Sequence, residues 1–242
     1  MALHFLVESS GSASIGDIVS LTGTEAKHAA VVRRLRVGET VTIGDGAGTW
    51  LDGAVTDVSA SRVDVRITGR VQAEAPSTRL VLVQALAKGD RDELAVQAAC
   101  ELGVDEVVPW QAARSISRWE GPKAVKGRDR WGAIVREASK QAHRAWVPEV
   151  SAPLTTAQLV AQTEGQRMLV LDPTADSRLS SVRPDHRDIV LIVGPEGGIA
   201  PEELATFEAA GAERVRLGDT VLRTSTAGPA AIAVLSATLG RW

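Results

Sequence analysis

The sequence predicts an α/β protein in two parts, a small β-rich unit followed by a larger unit built on a mostly parallel sheet. Three observations carry that prediction. Short β-branched runs fill residues 1–72 around one helical pattern. From residue 73 onward similar runs alternate with helical patterns, as βα units do. Near the C-terminus two glycine-bearing segments each follow a strand-like run and precede a helix-like one, the place where α/β folds bind ligands.

In chain order, Leu3 to Val7, Thr40 to Ile43, Thr49 to Val58 and Arg62 to Ile67 read as strands. The turn Gly44 to Gly48 joins two of them as a hairpin. A helix is expected from a cap at Thr24 to about Leu35, with Gly38 beyond its end. Val71 to Thr78 has no periodicity and contains Pro76, which places a boundary there and divides the chain into domains 1–72 and 73–242. In the second domain Leu80 to Gln84, Met168 to Leu171, Ile189 to Val193 and Arg214 to Leu217 read as strands. Helices are expected at Asp92 to Leu102, with Asp90 as cap and Gly103 as stop, around Trp131 to Arg144, and at Pro229 to Leu239.

With Lys+Arg 27 against Asp+Glu 30 the net charge is −3, so any nucleic-acid contact has to come from local patches. The single cysteine, Cys100, forbids an internal disulfide and a cysteine-rich zinc site, and its apolar helical setting suits a buried side chain. His4, His28, His143 and His186 have no metal-ligand spacing, so no metal is expected. No apolar run approaches the roughly 20 residues of a membrane span and nothing at the N-terminus reads as a signal peptide, so the cytoplasm is the expected location. The six tryptophans are scattered and read mostly as packing residues.

Chemistry concentrates in Ile192 to Pro201 and Leu217 to Gly228. Gly194, Gly197 and Gly198 permit positive φ and close approach of the backbone to a ligand. Pro201, Glu202 and Glu203 suit the first turn of the next helix, although Ala200 is a poor cap. Two such loops at adjacent strand ends would form one pocket lined by backbone groups, suited to a purine-bearing cofactor. Gly194-x-x-Gly197-Gly198 is neither the dinucleotide fingerprint nor the phosphate loop. Lys27, His28, Arg33, Arg34 and Arg36 form a basic cluster that suits either RNA phosphates or stabilisation of a helix end. Lys88 and Arg91 beside a helix start suit an anionic contact or a plain βα turn.

The segments GPEGG and LG-x-x-x-LR-T-x-TA closely resemble the C-terminal loops of the SPOUT methyltransferases. Within that superfamily the chain is most similar to the bacterial enzymes that methylate N3 of a uridine in 16S ribosomal RNA. Lys88 to Glu93, Glu101 to Val104, Arg114-Ser115 and Glu137 to Gln141 through Arg144 and Pro148 match family segments in the same order.

The resemblance implies a C-terminal SPOUT-type α/β domain threaded through a trefoil knot, preceded by a small PUA-like β-barrel that helps grip RNA. It implies S-adenosyl-L-methionine as methyl donor, without metal, and contacts to it from Leu171, Gly194, Glu196, Gly197, Gly198, Leu217, Gly218, Leu222, Arg223, Thr224 and Thr226. Arg223 is the candidate for stabilising charge on the uracil, and Glu196 is either a base or a group that orients a loop amide. RNA contacts are expected from the basic cluster, from Lys88, Arg91 and Arg114, and from Gln141 and Arg144, with 16S ribosomal RNA or the small subunit as partner. A homodimer is also implied, and the apolar last helix, rich in small residues, is the sequence's own hint of it. The chain departs from the family at His4, where an arginine is usual, and at Ser225, where many relatives carry glutamate. A SPOUT enzyme acting on a 2′-O-ribose or on transfer RNA, and a non-catalytic RNA-binding protein, stay open as alternatives.

Overall fold

Alternating burial along Thr49–Val58 and Arg62–Gln72 is what half-covered antiparallel strands require. The computed structural model, which describes residues 2–242, builds a curled sheet from them. Its strands are β1 (Leu3–Leu6), β2 (Ile18–Thr22), β3 (Thr40–Gly44), β4 (Thr49–Val58) and β5 (Arg62–Gln72), in the order β1-β3-β4-β5-β2. Only β1 and β3 run parallel, and β1 and β2 remain outer strands, so the sheet is a half-barrel. Phe5, Leu21, Ile43, Leu51, Val55, Val63, Val65 and Ile67 fill its inside. β2 was not expected.

The helix of this unit is shorter than its sequence pattern. α1 (Gly23–Lys27) begins after Thr22 and passes into a π-helical turn, His28–Val32, so the expected Thr24 to Leu35 helix is corrected. The widened turn brings both Ala29 and Leu35 into the core, with Leu35 N–H bonded to the Ala29 carbonyl at 3.0 Å. Arg33, Arg34 and Arg36 therefore lie beyond the helix, and Arg34 adopts a left-handed φ of 55°.

Residues 139–147 pack with this unit. Gly48 N–H donates to the Ala145 carbonyl and Val147 N–H to the Gly46 carbonyl, both at 3.0 Å. Lys140 and Glu25 form a nearly buried ion pair at 2.9 Å. His4 stacks on Trp50 with centroids 4.3 Å apart and shares a 2.9 Å hydrogen bond with Thr42. Burial first, then His143 and Lys140, push its pKa down to about 4, which keeps the ring neutral near pH 7.

The second unit is a parallel sheet of β6 (Leu80–Ala85), β7 (Glu106–Trp110), β8 (Glu149–Val150), β9 (Arg167–Leu171), β10 (Ile189–Val193) and β11 (Glu213–Val215). Their order is β11-β9-β10-β6-β7-β8. β6 and β10 are buried throughout, as central parallel strands covered on both faces must be. The helices are α2 (Arg91–Glu101), α3 (Pro122–Gln141, whose residues 139–141 belong to the first unit), α4 (Thr156–Gln162), α5 (Pro201–Ala209) and α6 (Thr224–Thr238). α4 packs beside α5, whose Phe207 meets Trp110 edge-on at 5.4 Å, and α2 packs against α6.

β7 and β8 escaped the sequence reading, β7 because Pro109 argues against a central strand. Pro229 lies inside α6 rather than at its start, so the last helix opens five residues earlier than expected, at Thr224. Ala231, Ile232, Leu235 and Ser236 of α6 are buried within its own unit. Trp110 and Trp131 are fully buried, and Cys100 is buried with its thiol donating to the Val135 carbonyl at 3.4 Å.

Candidate functional site

The carboxyl ends of β9, β10 and β11 open into one cavity of about 620 Å³, within the usual range for small-molecule sites. Both glycine loops line it. They were expected to follow adjacent strands and do not: β9 lies between β10 and β11, so the loops face each other across its end, at Leu171.

The first loop is held by bonds from several sides. Gly198 N–H donates to the Pro195 carbonyl at 2.9 Å, and Gly198 has φ of 73°. It alone of the three glycines needs the left-handed region, which corrects the expectation for Gly194 and Gly197. Those two are constrained by space instead: a Cβ on Gly194 would lie 2.6 Å from Ile199 Cγ1, and one on Gly197 would lie 3.3 Å from Arg114 Cβ. Arg114 also donates to the Gly197 carbonyl at 3.0 Å.

Glu196 Oε1 accepts from Lys88 N–H at 3.1 Å and from the Arg91 guanidinium at 3.2 Å. Of the two roles open to Glu196, this geometry displays the orientation of a loop amide. Asp92 closes the same βα turn by accepting from Ala87 N–H at 3.1 Å and Glu93 N–H at 2.9 Å. Burial raises the Asp92 pKa against the pull of those amides. Asp90 occupies the cap position with φ of 48° but makes no capping bond. On α5, Glu203 makes up for Ala200 by accepting from Ala200 N–H at 3.3 Å, and also takes Ala113 N–H and the Thr156 hydroxyl at 2.9 and 2.8 Å.

Thr224 ties the two loops to the sheet. Its hydroxyl donates to the Gly194 carbonyl and accepts from Gln84 Nε2, both at 2.9 Å. Gln84 is fully buried at the end of β6.

The second loop is different. From Leu217 to Leu222 no main-chain N–H or C=O has a hydrogen-bond partner among the described residues. Arg223 is exposed and forms no ion pair with a described residue, while its carbonyl starts α6 by accepting from Thr226 and Ala227 N–H at 2.8 and 2.9 Å. At the end of β9 Asp172 accepts from Thr174 N–H at 2.8 Å and pairs with Arg214 at 2.7 Å. Burial works to raise the Asp172 pKa, but Thr174 and Arg214 outweigh it and hold the carboxyl below its usual range.

Of the residues expected around a cofactor, Leu171, Gly194, Glu196, Gly198, Leu217, Gly218, Leu222, Arg223 and Thr224 line the cavity; Gly197 and Thr226 lie outside its lining. Arg91 lines it as well. Asp172, Arg214, Arg216 and Gln84 were not singled out from sequence, because their partners are remote along the chain and leave no local signal. Lys27, Arg33, Arg34, Arg36 and Gln141 are exposed in the first unit, where His28 and Arg144 are half-buried. Lys88 and Arg114 are exposed in the second. Among the described residues no cluster of His, Cys, Asp and Glu could hold a metal, and no helix is long and apolar enough to cross a membrane.

An RNA methyltransferase domain model matches residues 73–236, and an RNA methyltransferase PUA domain model matches 21–68. The chain is similar to "Ribosomal RNA small subunit methyltransferase E" of Mycobacterium bovis, 40% identical over 94% of this chain and 89% of that protein. It is 28% identical to the Bacillus subtilis protein of the same name, over 90% of this chain and 89% of the relative. The crystal structure of the Neisseria gonorrhoeae protein of that name, bound to S-adenosyl methionine, superposes with a TM-score of 0.89 at 29% identity, covering 98% of each chain. The sheet orders, the cavity at the strand ends and these matches lead to one conclusion: the chain belongs to the RNA methyltransferase family, with a PUA domain ahead of its methyltransferase domain.

Proposed function

We propose that the chain transfers a methyl group from S-adenosylmethionine to ribosomal RNA, and specifically to N3 of a uridine in 16S ribosomal RNA. The unpaired backbone of Leu217–Leu222 along the cavity carries the donor part of this reading, because a purine edge is recognised by main-chain donors and acceptors of that kind, and the acceptor rests on the resemblance. The relatives named for small-subunit ribosomal RNA, and the one bound to S-adenosyl methionine, support donor and substrate class. The fit is also one of size and wall: the cavity of about 620 Å³ combines carbon surface with free peptide groups.

When bound, the donor would supply an activated methyl on a sulfonium: the N3–C bond would form as the S–C bond breaks, S-adenosylhomocysteine would leave as a neutral thioether, and the N3 proton would pass to water. The chain's own work is to orient and to stabilise. Gly198 and the Leu217–Leu222 edge hold the donor in line with the acceptor. Arg223, free of any ion pair among described residues, faces the acceptor and offsets charge developing on the uracil oxygens. Glu196 acts as a positioning residue that ties Lys88 and Arg91 to the glycine loop.

In this reading residues 1–72 grip RNA through Lys27, His28, Arg33, Arg34 and Arg36, aided by Gln141 and Arg144, and residues 73–242 hold the donor, with Lys88, Arg91 and Arg114 near the acceptor strand. A knotted thread is part of it. Its support is that Arg216 N–H bonds the Ser177 carbonyl at 2.9 Å and Leu179 N–H bonds the Arg216 carbonyl at 2.8 Å, so residues 177–179 lie against the chain that leads from β11 to α6. A homodimer is proposed on the resemblance alone, since the small residues of α6 are used inside its unit.

The test is incubation of small subunits from cells lacking the enzyme with the protein and labelled donor, followed by mass spectrometry of nucleosides. 3-Methyluridine is the expected product. A 2′-O-methylated nucleoside, or none, would overturn the specificity.

A further inference from the structure

Six charged residues line the cavity: Arg91, Asp172, Glu196, Arg214, Arg216 and Arg223. Two cations are matched internally, Arg91 with Glu196 at 3.2 Å and Arg214 with Asp172 at 2.7 Å. Arg223 and Arg216 are the surplus.

Arg216 has the features of an anion receptor awaiting its anion. Its main chain is fixed on both sides by Ser177 and Leu179. It continues the extended run of β11 in a bridge with Arg178, so it shares a strand face with Arg214. Its Nε is buried without a hydrogen-bond partner. The single ion partner recorded for it is Asp219, 3.5 Å away on a side chain that is 81% exposed and solvated. Arg216 lines the cavity with its side chain 29% exposed, and a fixed guanidinium without a buried carboxylate partner binds a ligand's carboxylate or phosphate strongly.

We propose that Arg216 binds the α-carboxylate of the methyl donor's amino-acid portion. The inference rests on the donor proposed above. It gives each of the two arginines left over in the cavity an anionic feature, the donor carboxylate at Arg216 and the developing uracil anion at Arg223. An RNA phosphate is the other source of the same chemistry, and the ligands of the test separate the two.

Calorimetry with S-adenosylhomocysteine and with 5′-methylthioadenosine, which keeps adenosine and sulfur but lacks the amino acid, reads the contact directly. Arg216→Met is expected to weaken S-adenosylhomocysteine roughly 10- to 100-fold and to leave 5′-methylthioadenosine within about twofold. Arg216→Lys, which keeps the charge, is expected to lose less than Arg216→Met. Should Arg216→Met fail to fold, Arg216→Lys and Arg216→Gln carry the same two-ligand comparison. Equal weakening of both ligands would overturn the proposal and make Arg216 a wall of the cavity. Unchanged binding of both, with weaker RNA binding, would assign the anion to phosphate and overturn it as well. If the unaltered protein binds neither ligand, the donor reading itself fails, an outcome distinct from either.

Discussion

The two loops that bound the cavity are built on opposite plans. The Gly194–Ile199 loop is fixed by its neighbours: Arg114 takes the Gly197 carbonyl, Thr224 takes the Gly194 carbonyl, and Glu196 takes Lys88 N–H and Arg91. The Leu217–Leu222 loop leaves its peptide groups unpaired among the described residues. Exposed peptide groups are satisfied by water or by a ligand. The first loop is therefore a preformed wall, whose polar groups are spent on holding its shape, and the second is an edge that a ligand completes.

The largest effect should come from breaking the wall where its backbone is least replaceable. Gly198→Val places a β-branched side chain at φ of 73° and is expected to weaken S-adenosylhomocysteine binding by at least about 100-fold, since strain of about 1–3 kcal/mol adds to a side chain in the ligand's space. Gly197→Ala sharpens the point, because its φ is not positive and its new methyl would sit 3.3 Å from Arg114 Cβ. Calorimetry should find it within about fivefold of the parent; equal losses at both positions would show that crowding, not backbone conformation, sets the wall.

Next in size is Arg223→Ala, just after the open edge. Single-turnover methylation at saturating RNA and donor should fall about 100-fold or more, with RNA affinity nearly unchanged, because the proposed role is one exerted mainly in the transition state. A near-normal rate would remove Arg223 from the chemistry. A control outside both loops is the change of Arg33, Arg34 and Arg36 to alanine. It should flatten the salt dependence of RNA binding by up to about 0.7 to 0.9 in log–log slope per lost contact and leave S-adenosylhomocysteine binding intact.

The smallest effect is assigned to Glu196→Gln. The amide oxygen still accepts from Lys88 N–H while the ion pair with Arg91, 48% exposed, is lost. An exposed pair contributes about 0–1 kcal/mol, so a rise of a few-fold in donor KM is expected with an unchanged pH profile of kcat. Loss of the rising limb of that profile would instead make Glu196 the base.

Much of this architecture was legible because it is written locally. The apolar runs of β6, β9 and β10 and the glycines after them stand out in sequence. β2 was hidden because Ile18 to Thr22 runs directly into a helix, and the π turn because nothing in residues 28–32 marks it before Ala29 and Leu35 are seen to share a core. Pro229 misled because proline favours the first helical turn, whereas here the helix has already begun. Within the site, the sequence pointed to the loops but not to Gln84, Asp172, Arg214 or Arg216. Asp172 and Arg214 stand 42 positions apart, and pairing over that separation has no periodicity to reveal it.

The relay from Gln84 through Thr224 to Gly194 has a consequence for how the protein comes into being. Gln84 and Thr224 are separated by 140 positions, and Gly194 and Thr224 by 30. During synthesis β6 emerges long before Thr224, which takes one of the two hydrogen bonds of the buried Gln84 Nε2; the other goes to the Ala85 carbonyl. Closure over such a span is slow compared with local pairing. The nascent chain can hold β6 to β10 and still lack the part of the cavity wall that runs from Arg214 to Ala227. The cavity is complete only after Thr224 and the rest of its lining, which runs to Ala227, have been made and seated.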